Sequence, residues 1–463
     1  MKHLFFLFKV LVFSFYLGLV VNANPAFAAE DISKQIQSVL RKYNVDSNQI
    51  GIHIDADSGS LYELNSQKKF IPASVTKIFT SYAVLQRLPM NHKFKTELYF
   101  DGSNLYIKGG GDPSFVSENM WFLVNEFVRQ DIKKIKDIVV DDSLFDKVRY
   151  DDSRESVRVD RSYDAPVGAM SFNWNSVNIY VKPTKNGEKA RVYLDPESDY
   201  FQLVNNTKTT ARISKELVID VKQAQRQIVV SGDVLSSVAE KPYYKNVSDP
   251  VYWTGENLKA FLQQRGVAIS GKVRDGAVPS SASLVATSES KNLMSILSDM
   301  NKFSNNYVAE MLTKNVASFD GERSASLKTG MKAIRDELKK IGLDSNSVEI
   351  ENPSGFSRGN KITAKSLSKV LTEIKHNFKI FPSFAESLPM AGLDGTLKKR
   401  MKNTKAEGFV RAKTGYLDGV IALAGYVGKS NGEILTFTFL YNGPRDMKII
   451  HETFDQILLL LLE

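Results

Sequence analysis

The chain has 463 residues, a formal charge of +9 and no cysteine. The absence of thiols excludes cysteine catalysis and disulfide cross-links. No basic run with interleaved aromatic residues is present, so we expect no nucleic-acid partner. The five histidines lack metal-ligand spacing, and we predict no metal and no other cofactor. This length predicts two or three domains.

The N-terminus has the features of a secretory signal sequence. Lys2 precedes a largely apolar stretch over residues 4–21, and Ala26-Phe-Ala28 offers a small-residue cleavage site. We predict that residues 1–28 are removed on export and that the mature protein is periplasmic. The apolar stretch is also long enough for an uncleaved membrane anchor, which is the alternative.

The first motif with chemical content is Ser74-Val-Thr-Lys77. Apolar residues at helical spacing follow it, and Pro72 and Pro89 bracket them, which predicts a helix over residues 75–88 with Ser74 at its N-terminus. A serine needs a neighbouring base to become a nucleophile, and a lysine three residues on lies on the same helix face. The free N–H groups of the helix start would favour a developing anion.

A region rich in short β-like runs separates this motif from the next one. We predict strands at residues 97–108, 137–140, 177–181, 190–194, 217–221 and 227–230. A helix at residues 255–265 follows. Because one site must be assembled across this domain-sized gap, we interpret residues 96–286 as an insertion into a domain built from residues 30–95 and 287–463. The insertion is expected to form two mostly-β modules, about 96–165 with 245–286, and about 166–244.

The second motif is Ser304-Asn-Asn306. It lies between an amphipathic run that ends at Met300 and a helix-like run over residues 307–312. A short turn between two helices would direct Ser304 and Asn306 into a cleft. A polar interhelix loop without a function is the alternative.

The third motif is Lys413-Thr-Gly415, at the end of an extended run. Two apolar β-rich runs follow at residues 420–427 and 434–441, which predicts consecutive antiparallel strands. A lysine and a hydroxyl on a strand edge, beside a glycine that permits close approach, form a receptor for a carboxylate.

Each motif also occurs elsewhere in the chain, in a less suitable context. The S-x-x-K spacing recurs at Ser66, Ser288 and Ser366, which lie in a polar stretch or at ordinary helix starts. A second K-T-G, Lys328-Thr-Gly330, lies in a helical stripe and is predicted to be a solvated helix segment.

The fold class predicted by these elements is α+β, with a central antiparallel sheet flanked by helices. Residues 457–462 continue an apolar stripe from Ile450 and Phe454, which predicts a C-terminal helix packed on the sheet. Peripheral membrane association through this tail is the alternative.

The three motifs in this order are the signature of penicillin-binding proteins and class A β-lactamases. The strings at residues 110–114, 141–146, 354–360 and 388–396 further resemble the D-alanyl-D-alanine carboxypeptidase/endopeptidase family, peptidase family S13. The resemblance implies a penicillin-binding/β-lactamase-like domain with a large insertion. Two positions depart from the family pattern: Asn352, where we expect aspartate, and Tyr416, where we expect serine or threonine.

The resemblance implies a serine-type carboxypeptidase or endopeptidase that acts on peptidoglycan stem peptides and binds β-lactams covalently. Ser74 would form an acyl-enzyme, Lys77 would be the base, and Ser304 would relay a proton to the leaving amine. Rapid hydrolysis of acylated Ser74 would instead indicate a β-lactamase. A non-catalytic scaffold that binds peptidoglycan is the second alternative.

Substrate contacts are implied as well. Asn306 would hold the substrate amide, and Lys413 and Thr414 would bind the substrate carboxylate. Because Lys413 lies near Lys77, it would also hold the pKa of Lys77 down and keep that lysine neutral. The backbone N–H groups of Ser74 and Tyr416 would form the oxyanion hole.

A stem peptide with a zwitterionic side-chain end would need further charged contacts. By the same resemblance, Asp141 and Arg358 would bind this end, and Leu417 would line the stem. The alternatives are a turn residue at Asp141 and a surface ion pair at Arg358.

Overall fold

The structure, a computed structural model, describes residues 25–153 and 165–463, with side chains from residue 31 onward. Its helices are α1 (Pro25–Lys42), α2 (Lys77–Arg87), α3 (Ser117–Val128), α4 (Pro250–Gln264), α5 (Leu293–Lys302), α6 (Asn306–Phe319), α7 (Leu327–Lys340), α8 (Ala364–His376), α9 (Phe381–Ser387) and α10 (Met447–Leu460). Its strands are β1 (Ile50–Ala56), β2 (Gly59–Leu64), β3 (Lys69–Phe70), β4 (Lys95–Phe100), β5 (Leu105–Gly109), β6 (Lys134–Ile135), β7 (Ile138–Asp141), β8 (Ser176–Lys182), β9 (Arg191–Asp195), β10 (Gln202–Thr210), β11 (Val218–Lys222), β12 (Gln227–Leu235), β13 (Lys241–Asn246), β14 (Ala268–Ile269), β15 (Val273–Asp275), β16 (Ser283–Glu289), β17 (Val348–Glu349), β18 (Lys361–Thr363), β19 (Val410–Leu417), β20 (Val420–Gly428) and β21 (Ile434–Asn442). Residues 1–24, most of the predicted signal sequence, lie outside the described residues.

A five-stranded antiparallel sheet, in the order β19-β20-β21-β1-β2, forms the centre of the region that carries the three motifs. β20 and β21 are buried along almost their whole length because helices cover both faces, which explains their continuous apolar runs. α1 and α10 share one core with the sheet, and α2, α6 and α8 share another. The predicted α+β fold is confirmed.

The region between β4 and β16 forms sheets of its own. β15-β7-β5-β4-β16 is a mixed sheet, and β10-β12-β11 and β13-β8-β9 are three-stranded sheets. Trp253 of α4 packs against Phe172 and Tyr200 in the core that joins them. Because β16 pairs with β4, the predicted boundary between residues 286 and 287 falls inside a strand.

Some predicted bounds were wrong. Ser74 lies in a 3-10 turn, Ala73–Thr76, and α2 begins only at Lys77. The run predicted at residues 97–108 is a hairpin of β4 and β5. The helix predicted at residues 255–265 begins at Pro250, since Asp249 caps it by accepting a hydrogen bond from Tyr252 N–H at 3.2 Å. α3, β10 and β13 were not predicted.

The C-terminal segment packs as expected from its stripe. Ile450, Phe454 and Ile457 of α10 are fully buried against the central sheet. Within residues 25–153 and 165–463, no helix has both the length and the apolarity needed to cross a membrane.

Candidate active site

Ser74 and Lys77 lie where a strained turn enters α2. Ala73 has a φ of +50°, in the left-handed region that a side chain disfavours. Gly355, with a φ of +80°, packs against this turn, and a Cβ there would lie 1.9 Å from the Ala73 carbonyl oxygen. The turn places Ser74 Oγ 3.1 Å from Lys77 Nζ, as the spacing predicted.

Lys77 has no exposed surface, and the contacts of its Nζ include three oxygen atoms. It donates to Asn306 Oδ1 at 2.8 Å and to the Ser354 carbonyl oxygen at 2.6 Å, and it lies 3.1 Å from Ser74 Oγ. A neutral amine has two N–H groups and one lone pair. It can therefore donate to the first two oxygens and still accept the Ser74 proton, which is the geometry of a general base.

The Ser354 carbonyl is held by the loop around Asn352, for which no contact with Lys77 was predicted. Asn352 Oδ1 accepts hydrogen bonds from Ser354 N–H at 2.9 Å and Ser354 Oγ at 2.6 Å, and its Nδ2 donates to Asp151 Oδ2 at 2.5 Å. Asn360 Nδ2 ties the loop to Thr76 Oγ1 at 3.3 Å. The asparagine in place of the expected aspartate thus keeps the acceptor and adds a donor for Asp151. The string at residues 354–360 was the sequence signal for this loop.

Ser304 occupies the short turn between α5 and α6, as predicted. Its φ of +55° is left-handed, and Asn305 caps α6 by accepting a hydrogen bond from Val308 N–H at 3.2 Å. Ser304 Oγ accepts a hydrogen bond from Lys413 Nζ at 2.9 Å. Because Asn306 contacts Lys77 and Ser304 contacts Lys413, this turn brings the three motifs together.

Lys413 also has no exposed surface. Its Nζ donates to Ser304 Oγ and, at 2.8 Å, to the Thr414 carbonyl oxygen, and both acceptors are uncharged. Burial lowers the pKa of Lys413 to about 7. A substrate carboxylate beside this amine would favour its charged form and be bound by charge-assisted hydrogen bonds.

The outer edge of β19 is covered at its start and open at its end. The segment 389–391 pairs with the start, where Ala412 N–H donates to the Pro389 carbonyl oxygen at 2.9 Å. Alternate residues of a strand direct their backbone groups to the same edge. The N–H groups of Thr414 and Tyr416 therefore point to this edge beyond the covered part, where an extended peptide can pair with them.

Gly415 brings β19 against the Ser74 turn. A Cβ at this position would lie 2.7 Å from the Pro72 carbonyl oxygen and 3.2 Å from Ser74 N, so a side chain would force the strand away. The contact thus brings Ser74 N close to β19, and Tyr416 follows Gly415 directly in this strand. The side chain of Tyr416 is exposed.

Thr414 has a partner that the sequence did not assign. Its Oγ1 lies 2.8 Å from Thr396 Oγ1, and either hydroxyl can donate. Thr396 ends the string at residues 388–396, which was the available signal. This contact fixes the Thr414 hydroxyl beside Lys413.

The residues predicted to contact a stem peptide with a zwitterionic side-chain end lie in two parts of the structure. Arg358 Nη2 donates to the Asp418 carbonyl oxygen at 2.7 Å, which places Arg358 next to Leu417 at the end of β19. Asp141 is buried at the end of β7, and its carboxylate accepts hydrogen bonds from the N–H groups of Ser143 and Val278. These are the contacts of a turn residue, and a substrate role for Asp141 stays a prediction.

The second K-T-G lies in the first turn of α7. Lys328 is exposed, Thr329 Oγ1 contacts Ser326 Oγ at 2.6 Å, and Gly330 packs on α6. Among the described residues, no cluster of three acidic or histidine side chains is arranged to hold a metal ion.

Comparisons with known proteins agree on one family. A profile described as the D-Ala-D-Ala carboxypeptidase 3 (S13) family matches residues 32–461. A D-alanyl-D-alanine carboxypeptidase of an Actinomadura species is 30% identical over 92% of this chain and 84% of its own length. The D-alanyl-D-alanine carboxypeptidase DacB of Haemophilus influenzae is 28% identical over 93% of this chain and 90% of its own.

Solved structures show the same fold. The crystal structure of penicillin binding protein 4 (dacB) from Haemophilus influenzae superposes with a TM-score of 0.78 at 24% identity, and covers 92% of this chain and 98% of its own. A second structure of that protein, in complex with a novel β-lactam, gives a TM-score of 0.74 over the same shares of both chains.

Proposed function

This chain belongs to the D-Ala-D-Ala carboxypeptidase 3 (S13) family of serine-type hydrolases, and on that premise we propose that it cleaves peptidoglycan stem peptides through an acyl-enzyme on Ser74. The observation that carries the proposal is the contact of Ser74 Oγ with the buried amine of Lys77, which also donates to Asn306 Oδ1 and to the Ser354 carbonyl oxygen. The substrate is a stem peptide that ends in D-Ala-D-Ala, or a cross-link made from one.

Acylation begins with an extended substrate paired along the open edge of β19. Lys77 takes the Ser74 proton, and the bond between Ser74 Oγ and the penultimate D-alanine carbonyl carbon forms. The N–H groups of Ser74 and Tyr416 hold the resulting oxyanion. Asn306, whose Oδ1 accepts a hydrogen bond from Lys77, holds the substrate amide through its Nδ2 group.

Departure of the amine requires a proton. The Ser304 hydroxyl, which accepts a hydrogen bond from Lys413 Nζ, relays the proton that Lys77 removed to the leaving nitrogen. The C–N bond then breaks. Lys413 and Thr414 hold the carboxylate of the leaving residue. Water then attacks the ester, Lys77 accepts its proton, the Ser74 Oγ–C bond breaks, and Ser74 recovers its hydrogen.

β-Lactams are proposed to acylate the same serine because they imitate the D-Ala-D-Ala end. The complex of the Haemophilus influenzae protein with a β-lactam supports this for a relative of the same fold. Arg358, Leu417 and Asp141 are proposed to favour stem peptides with a zwitterionic side-chain end.

Covalent labelling tests the nucleophile. The purified protein is incubated with a fluorescent penicillin, and the labelled peptide is identified by mass spectrometry. The label is expected on Ser74, and Ser74→Ala should abolish it while circular dichroism stays unchanged. A label on Ser66, Ser288 or Ser366 would contradict the assignment.

The lifetime of the label separates the rival activities. Long-lived labelling together with release of D-alanine from muropeptides supports the peptidase. Rapid loss of the label with drug hydrolysis would identify a β-lactamase. No labelling and no turnover would leave a peptidoglycan-binding scaffold.

Export is proposed from the signal-like N-terminus. Cleavage after Ala28 would remove the first four residues of α1 and deliver the enzyme to the periplasm, where its substrate lies. Mass spectrometry of the protein from the periplasmic fraction should find an N-terminus at Ala29. An intact Met1 in a membrane fraction would favour the uncleaved anchor.

A further inference from the structure

We propose that a cavity beside the Ser304 turn binds the sugar portion of peptidoglycan. This inference rests on the proposed function, since it concerns how the same substrate is held. The cavity has a volume of about 490 Å³ and lies between the insertion and the α5–α6 turn. Its lining residues are Trp174, Ser176, Asn178, Tyr244, Phe303 and Asn305, with Lys291 and Asp299 at one side.

Three aromatic side chains in this lining are exposed. The exposed fractions are 41% for Trp174, 53% for Tyr244 and 71% for Phe303. Burial of rings of this size would contribute to stability, so a group of them facing one cavity marks a binding surface. The rings come from the insertion and from the catalytic region, so both parts of the chain build the cavity.

Trp174 is held outward by a strained backbone. Asn173, Trp174 and Asn175 have φ values of +48°, +52° and +48°, three successive left-handed residues without a glycine. Side chains disfavour this region, and such a conformation persists where its surroundings determine it. Here the buried Asn175 Nδ2 donates to the Pro166 carbonyl oxygen at 2.9 Å and to Ser171 Oγ at 2.8 Å. Backbone strain at a residue whose aromatic side chain is exposed is typical of a functional surface.

The cavity adjoins the catalytic cleft. Phe303 and Asn305 line it, and they are the two neighbours of Ser304 in the chain. A substrate whose peptide lies along β19 therefore has another part within reach of the rings. In peptidoglycan, the part attached to the stem peptide is an N-acetylated sugar.

The polarity of the lining selects an uncharged ligand. Among the described residues that line the cavity, the charged side chains are Lys291 and Asp299, which pair with each other at 3.0 Å. The remaining polar groups are one hydroxyl and two amides, on Ser176, Asn178 and Asn305. Flat rings with neutral hydrogen-bonding groups between them complement a pyranose, which has apolar C–H faces and polar edges. A charged peptide terminus would find no unpaired charge among these residues.

The test compares two substrates that differ only in the sugar. kcat/KM is measured for a disaccharide pentapeptide and for the same pentapeptide without sugar, in wild type, Trp174→Ala and Tyr244→Ala. Each variant is expected to lower kcat/KM for the sugar-bearing substrate about 3- to 10-fold, the range for loss of one aromatic contact. The bare peptide and penicillin acylation should be unchanged.

Trp121→Ala is the matched control, because Trp121 is 57% exposed on α3 and does not line the cavity. It should behave as wild type on both substrates. Equal losses on both substrates in the Trp174 and Tyr244 variants, or no loss on either, would overturn the inference.

Direct binding separates this inference from the proposed function. The free disaccharide should quench or shift tryptophan fluorescence in wild type and in Ser74→Ala, and Trp174→Ala should abolish that response. If wild type cleaves neither substrate, the proposed function fails while a positive titration still supports the sugar site. Absence of a fluorescence response together with normal turnover would remove the sugar site alone.

Discussion

Two fully buried lysines, Lys413 in the cleft and Lys314 on α6, differ in what surrounds the amine. Lys314 Nζ contacts Asp146 Oδ1 at 2.5 Å and the Val148 carbonyl oxygen at 2.7 Å. Burial lowers the pKa of Lys314, but Asp146 opposes that shift. Lys413 Nζ contacts only two uncharged oxygens among the described residues, and burial alone lowers its pKa to about 7.

The difference separates a lysine in a complete ion pair from a lysine for which we propose a role in substrate binding. The ion pair of Lys314 is complete within the chain and joins α6 to the segment after β7. Lys413 is held in place by neutral groups, and in the proposed function a substrate carboxylate supplies its counter-charge. A buried cation without an acid partner is unfavourable for folding, and such sites commonly serve binding or catalysis.

The largest effect is expected from removing the cleft amine. Lys413→Met should lower kcat/KM for a D-Ala-D-Ala peptide by about 10²- to 10³-fold, the usual loss for a buried charged contact. Lys314→Met, the same change in the paired lysine, should leave kcat/KM within a few-fold of wild type in the folded fraction. Steady-state kinetics of both variants on one peptide measures the two losses in kcat/KM. Equal losses would contradict the distinction between Lys413 and Lys314.

Stability should change in the opposite sense. Lys314→Met leaves Asp146 partly buried without its partner and should lower the free energy of unfolding by about 2–4 kcal/mol. Lys413→Met removes a buried amine that has no acid partner and should raise it by about 1–4 kcal/mol at pH 6. Urea unfolding of both variants measures the two changes. A destabilised Lys413→Met protein would show that the amine contributes to folding.

The gain from Lys413→Met should depend on pH. The pKa of Lys413 is about 7 in the folded protein and 10.5 as the ordinary value, so the unfolded chain binds more protons between these limits. Wild-type stability therefore rises with pH through this window, whereas methionine does not titrate. The difference between variant and wild type should be largest below pH 7 and shrink towards pH 10. If the difference in the free energy of unfolding between variant and wild type stayed constant over this pH range, Lys413 would not be the group that titrates there.

Substrate binding should report the same group. Since the proposed role of the charged amine is to bind the carboxylate, kcat/KM for a peptide with a free C-terminus should fall about tenfold per pH unit above about pH 7. The matching peptide amide has no carboxylate and should lack this alkaline limb, although its kcat/KM is lower throughout. Identical pH profiles for the two peptides would assign the limb to another residue.

The smallest effect is expected at the second K-T-G. Lys328→Ala should leave kcat/KM, penicillin labelling and the melting temperature nearly unchanged, because its side chain is exposed on a helix. It controls for charge removal in the Lys413 variant. A large loss of activity would mean that α7 takes part in the site.

Much of the site follows from local pattern. The i+3 spacing of Ser74 and Lys77, the interhelix turn at Ser304 and the alternation after Lys413 each indicate one local geometry, and the structure has these contacts. The order of the motifs distinguished them from their repeats. Local pattern also indicated the buried strands β20 and β21.

Elements whose burial depends on polar contacts were missed. β10 has few apolar residues, and its buried Thr207 accepts a hydrogen bond from Ala190 N–H at 3.0 Å, while Thr209 contacts Thr184 Oγ1 at 3.2 Å. Such partners are distant in sequence and leave no period in it. β13 carries Pro242, which suits its edge position in the β13-β8-β9 sheet but weakens a strand prediction. α3 is the exception, since its buried residues Met120, Leu123, Val124 and Phe127 have helical apolar spacing.

The sequence by itself determined the chemistry available to this protein: a serine, two lysines and their order on helix, turn and strand. Those choices are local, since spacing within one element decides which side chains share a face. Only the tertiary structure decided the state of the groups. The Ser354 carbonyl against Lys77, the burial that lowers the pKa of Lys413, and the rings around the cavity beside Ser304 all join distant segments. Burial and electrostatic environment depend on everything packed around a group, and no local pattern in the chain records that.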